Sequence, residues 1–141
     1  MGRSWFKGKA PTADKTPRVA APPPSDDRPA WRVGRIDRDW NWCFHDIDGG
    51  DLRTVIDRLR SFETMNWPDI ERGGSHFVSV DQLIPEAQKR LQELRLDDFD
   101  ELFSLRCTGK ARIWGMRINN VFSALWWDAN HEICPAEKRH T

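Results

Sequence analysis

Two apolar runs, residues 111–118 and Val121–Asp128, meet at Asn119-Asn120, and this junction constrains the fold more than any other feature of the chain. Asparagine tolerates the positive φ that a two-residue hairpin loop demands. A third run, residues 102–107, leads into them across the turn Thr108-Gly109-Lys110. The last third therefore reads as a three-stranded antiparallel meander. With Asn119-Asn120 as the loop, Ile118 pairs with Val121, Met116 with Ser123, Trp114 with Leu125 and Arg112 with Trp127. The opposite face then carries Ile113, Gly115, Arg117, Phe122, Ala124 and Trp126. Both faces are largely apolar, so the hairpin belongs inside a sheet covered on both sides. Strict alternation puts Trp114 and Trp126 on opposite faces.

Upstream the apolar period changes. Trp40, Trp42 and Phe44 alternate, which predicts a strand with three aromatics on one face. Leu52, Val55, Ile56, Leu59 and Phe62 recur at helical spacing and predict an amphipathic helix over about 51–63, N-capped by Asp51. The stretch Asn66-Trp67-Pro68-Asp69-Ile70 predicts a short second helix, because proline suits a first helical turn. Gly73-Gly74 breaks the chain, and residues 75–80 fit a short strand or extended segment. Asp81 and Pro85 then open another helix with Ala87, Leu91 and Leu94 inside, and residues 97–101 form an acidic connector.

Six of the nine prolines fall at or before Pro29, including Pro22-Pro23-Pro24. With almost no apolar period, residues 1–32 read as a disordered tail with polyproline character around 21–25. Such a tail is a solvated leader, or a weak electrostatic tether or partner arm. Residues 33–141 read as a single α/β domain of the α+β kind. The formal net charge is zero, but the tail holds seven Lys/Arg against three acids, while the remainder holds 15 basic and 19 acidic residues. An acidic domain is a poor generic nucleic-acid binder, so any such role needs a local patch.

Cys43, Cys107 and Cys134 are odd in number and far apart, which argues against a disulfide framework or a paired-cysteine metal site. They read as small apolar fillers in a reducing compartment. No stretch approaches the ~20 apolar residues of a membrane helix. Residues 1–10 are basic without the apolar segment of a secretory signal. The expectation is a cytoplasmic protein with no membrane partner.

Between residues 102 and 127 lie four basic residues, Arg106, Lys110, Arg112 and Arg117, and no acid. They would form one electropositive strip able to hold phosphates, or would pair with Asp97, Asp98, Asp100 and Glu101. Past the last strand, His131 is placed to act as general acid or base, oriented by Asp128 or Glu132. Asp128 and His131 equally suit turn positions that satisfy backbone groups. The hairpin register puts Arg112 and His131 on one shallow surface at the C-terminal end of the meander. His45, His76 and His131 show no metal-ligand spacing, and no phosphate-binding Gly-rich loop is present; no cofactor is expected.

The run Leu105-Arg106-Cys107-Thr108-Gly109-Lys110-Ala111-Arg112-Ile113-Trp114-Gly115, then a hairpin, then residues 122–127 and Asp128-Ala129-Asn130-His131-Glu132-Ile133, resembles the C-terminal meander of RelE/ParE-type toxins. Those domains place one or two helices after a first strand and end with an arginine-bearing strand, a short turn and a strand leading to a histidine. The tail Leu125 to Glu132 is also similar to that of an uncharacterised group of small bacterial proteins sharing Leu-Trp-Trp-Asp-x-x-His-Glu. The resemblance extends over roughly 36–134, with specific matches in 102–134. It implies a RelE-like fold and a toxin of a toxin–antitoxin pair acting as a metal-independent endoribonuclease on mRNA. Arg112 and His131, with Arg106, are the catalytic residues it implies; Lys110, Arg117, Lys138 and Arg139 are the substrate-binding ones. An antitoxin is the implied partner, and RNA or the ribosome the implied target. A non-enzymatic protein-interaction module on the same fold is the alternative.

Overall fold

The computed structural model describes residues 28–135, which form an α+β fold of three α-helices and a five-stranded mixed sheet. In chain order these are β1 (Ala30–Arg32), α1 (Gly49–Phe62), α2 (Trp67–Arg72), β2 (His76–Ser79), α3 (Pro85–Glu93), β3 (Glu101–Arg106), β4 (Arg112–Ile118) and β5 (Val121–Asp128). The sheet order is β1-β5-β4-β3-β2. The expected meander β3-β4-β5 is antiparallel and interior, as its two apolar faces require.

The first strand is not where the aromatics alternate. Residues 40–43 turn and bend, and Phe44–Asp46 is one turn of 3₁₀-helix. Trp40 stacks against Trp42 and Trp126, with ring centroids 4.6 and 4.5 Å away. Phe44 packs on the other side of the sheet, beside Trp127. The alternation thus reflects a loop feeding two cores, not a pleated strand. The true first strand, β1, falls within the stretch read as tail. It runs parallel to β5, with Ala30, Trp31 and Arg32 opposite Val121, Phe122 and Ser123. Trp31 anchors it, meeting Trp67 and Phe122 edge-on. The ordered domain therefore begins by Ala30, and the tail expectation for residues 1–27 lies outside the described residues, as do Lys138 and Arg139.

Helices α1 and α2 each start where a side chain satisfies an orphan amide. Asp48, not Asp51, caps α1, accepting the Asp51 N–H at 2.7 Å, and Asn66 caps α2 by accepting that of Asp69 at 3.0 Å. Pro68 sits in the first turn of α2, and Pro85 opens α3. Helices α1 and α2 press Val55, Phe62, Trp67 and Ile70 onto Phe103, Leu105, Ile113, Phe122 and Trp127. On the opposite face, Ala87 and Leu91 of α3 meet Leu102, Trp114, Met116, Leu125 and Trp126. The sheet is thus sandwiched between two helical layers.

The hairpin register holds from Ile118↔Val121 to Gly115↔Ala124 and then shifts by one. Trp114 pairs with Trp126, Ile113 with Trp127, and Arg112 with Asp128, so Leu125 is the extra residue of a β-bulge. Trp114 and Trp126 therefore share the α3-side core rather than lying on opposite faces. Gly115 makes the bulge possible: a Cβ there would lie 2.2 Å from the Ser123 carbonyl oxygen. Asn119 takes the loop's positive φ, at 56°.

Gly115→Ala should destabilise the fold by about 1–3 kcal/mol through this overlap, and Trp126→Ala by about 3–5 kcal/mol through the cavity it leaves. Urea denaturation measures both; an unchanged midpoint for Gly115→Ala would refute the close approach of β5.

Candidate functional site

The C-terminal end of β3, the start of β4 and the end of β5 converge, and this brings four of the expected site residues to one end of the sheet. Arg106 stands opposite Arg112, and Arg112 opposite Asp128. Both arginines turn onto the intervening turn: Arg106 Nε donates to the Thr108 carbonyl at 3.3 Å, and Arg112 Nη1 to those of Thr108 and Ala111 at 3.1 Å each. Arg112 is only 8 % exposed, whereas Arg106 and Lys110 lie at the surface. The Arg106 side chain runs alongside Gly74, whose φ of 112° favours glycine.

His131 lies three residues past β5, half-buried, with a φ of 59°. Asp128 is fully buried. It accepts from Trp114 Nε1 at 3.2 Å and from the backbone N–H groups of Glu132 and Ile133 at 2.8 and 2.9 Å. Glu132 accepts from Trp42 Nε1 at 3.0 Å. Both carboxylates therefore help to hold the 128–133 turn to the rest of the fold.

The expected single basic strip does not form. Arg117 sits at the far end of β4 on the other face, clamped over the Trp67 ring at 4.2 Å and paired with Glu71. Alternation separates it from Arg112, and a ring face plus a carboxylate holds it in place.

Two features escaped sequence reasoning. The first is a buried carboxylate, Asp37, which is 3 % exposed. It receives Arg90 Nε and Nη2 at 2.8 and 2.7 Å, Trp126 Nε1 at 3.0 Å and the Asp39 N–H at 3.2 Å. Burial pushes its pKa up, but the hydrogen bonds from Arg90, Trp126 and Asp39 outweigh that and hold it below the ordinary carboxylate value. Nothing in Arg35-Ile36-Asp37-Arg38-Asp39 distinguishes this aspartate from its solvated neighbour.

The second feature is an apolar cavity of about 460 Å³ between β1, the 33–47 loop and α1. Val55 and Leu59 of α1, Trp31, Phe44 and Ile47 wall it, and Ile113, Phe122 and Ala124 of the sheet floor it. Val33, Leu52 and Ile56, which are 69, 46 and 48 % exposed, stand at its mouth. Leu52 and Ile56 gave a signal: they lie on the apolar stripe of α1, yet the sheet does not cover them. Trp31 Nε1 is buried with no acceptor among the described residues.

The three cysteines are buried, and burial pushes the Cys107 thiol up to about 11, against nucleophilic use of that residue. Among the described residues no group of three or more His, Cys, Asp or Glu side chains is arranged to hold a metal, and no helix is long and apolar enough to cross a membrane. No protein-family model, curated protein or solved structure matches the chain.

The Asp37 geometry carries a pH signature. Its folded pKa lies below the unfolded value of about 3.9. Its stabilisation is therefore complete above that pH and is lost as pH falls through the folded pKa. Asp37→Asn should lower the urea midpoint at pH 7 and flatten its decline below pH ~4. A variant with the parent's acid limb would show that Asp37 does not link protonation to folding.

Proposed function

We propose that the chain is a toxin-like protein-contact module on a RelE-like frame, a partner for an antitoxin rather than a ribonuclease. The burial of Arg112 carries this reading. A guanidinium that stabilises charge on a transferring phosphoryl group must reach the phosphate, whereas this one is spent on the carbonyls of Thr108 and Ala111. Both sheet faces are covered by side chains, and residues 33–141 are acidic on balance. The exposed apolar mouth formed by Val33, Leu52 and Ile56 offers the surface a protein partner needs. The element order supports the RelE-like frame: a strand, two helices, the insert β2-α3, then three strands ending in a histidine-bearing turn.

One observation favours the ribonuclease reading as the second choice. Arg106 and Lys110 are exposed at the sheet end from which the His131 turn departs. In that mechanism His131 moves the proton of the attacking 2′-hydroxyl and the two cations hold the phosphate.

Inducing the gene alone in a bacterium separates the two readings. Contact predicts slowed growth with intact RNA, undiminished by His131→Ala and abolished by Leu52→Asp with Ile56→Asp. RNA fragmentation that His131→Ala removes would overturn this and install the ribonuclease.

A further inference from the structure

We propose that the cavity between β1 and α1 is a binding site for a small amphipathic monoanion, a free medium-chain carboxylate whose hydrocarbon body fills the recess and whose head group lies at Arg32 and His45. The inference goes beyond the protein-contact reading and does not rest on it, since the cavity would hold such a molecule whether or not a partner also touches its rim.

Well-packed folds leave few voids larger than a water molecule, and the remainder of this sheet is packed by two continuous cores. Here a small side chain leaves the floor open: Ala124 forms part of it, where a larger residue would fill the space. The recess falls within the ~300–1,000 Å³ range of small-molecule sites. A cavity of ~150 Å³ accepts benzene, so one about three times larger accepts a body of roughly ten to fifteen non-hydrogen atoms.

Charge selects the head group. Among the described residues, the ionisable side chains lining the recess are Arg32 and His45, both exposed, and no carboxylate lines it. Of the nearby acids, Asp48 caps α1, and Asp46, Asp51 and Asp57 are not part of the lining. An anion is therefore favoured over a cation of the same chain length. The walls demand an apolar body, because a polar one would exchange its water for side chains that offer no hydrogen bonds.

The test is calorimetric titration of the full chain with monomeric decanoate near neutral pH. The expected result is one molecule bound, with decyltrimethylammonium at least about tenfold weaker. Replacing Arg32 and His45 together by glutamine should cost decanoate about tenfold and leave decanol unaffected. Ile56→Trp narrows the mouth from a half-exposed position, and Ala124→Leu fills the floor; each should abolish binding, and a melt confirms which variant is folded. Equal affinity for the cation, or undiminished binding by a folded filled variant, overturns the proposal. Binding that appears only after Trp5→Ser with Phe6→Ser would overturn it in favour of the chain's own N-terminal segment. Uptake by anionic phospholipid vesicles with no response to dissolved decanoate would overturn it in favour of a membrane surface.

Discussion

The Asp37 carboxylate ties together three separate parts of the chain. Its oxygens receive Arg90 from α3, Trp126 from β5 and a backbone N–H from its own loop, while its own N–H donates to the Leu125 carbonyl. A buried carboxylate without partners is costly, so each donor is required by the others. Asp128 repeats the arrangement two residues beyond Trp126, at the C-terminal end of β5, receiving Trp114 and two amides of the following turn. Two indoles on one sheet face thus each end on a buried acid. Their rings fill the α3-side core while their N–H groups pin the loop before α1 and the turn after β5.

This arrangement depends on the bulge. Without the extra residue, Trp126 would point toward α1 and α2, away from Asp37 and α3. Gly115 permits the bulge, and the bulge decides which tryptophan meets which acid. It also moves Asp128 opposite Arg112, so the register that sequence spacing suggested for the site is displaced by one residue there.

Much of the secondary structure was legible because it depends on local chemistry. The Asn119-Asn120 loop, the period of α1, Pro68 in α2 and Pro85 in α3 speak for themselves. The failures have a common physical origin in long-range packing. Trp40, Trp42 and Phe44 mimic a strand because two cores draw alternate side chains from one loop. β1 was hidden because three residues carry no period, and only pairing with β5 makes them a strand. The bulge was hidden because it arises from steric room at one glycine. For the site, the sequence grouped Arg106, Lys110, Arg112 and His131, and the register leaves them at or just beyond one end of the sheet. It gave no warning that Arg112 is buried, nor of the cavity, whose walls come from separated segments.

The parallel pairing of β1 with β5 has a kinetic meaning. Every other neighbour in the sheet is joined by antiparallel pairing within the C-terminal two-thirds, whereas β1 must wait for the last strand to form before it has an edge to join. Closing so long a loop carries a large entropic cost for three residues of ladder. With three residues of ladder against the six to eight of β3, β4 and β5, β1 has the fewest backbone hydrogen bonds among these strands to keep it docked. Trp31 and Arg32 form one wall of the cavity, so the recess exists only while that short edge strand is in place.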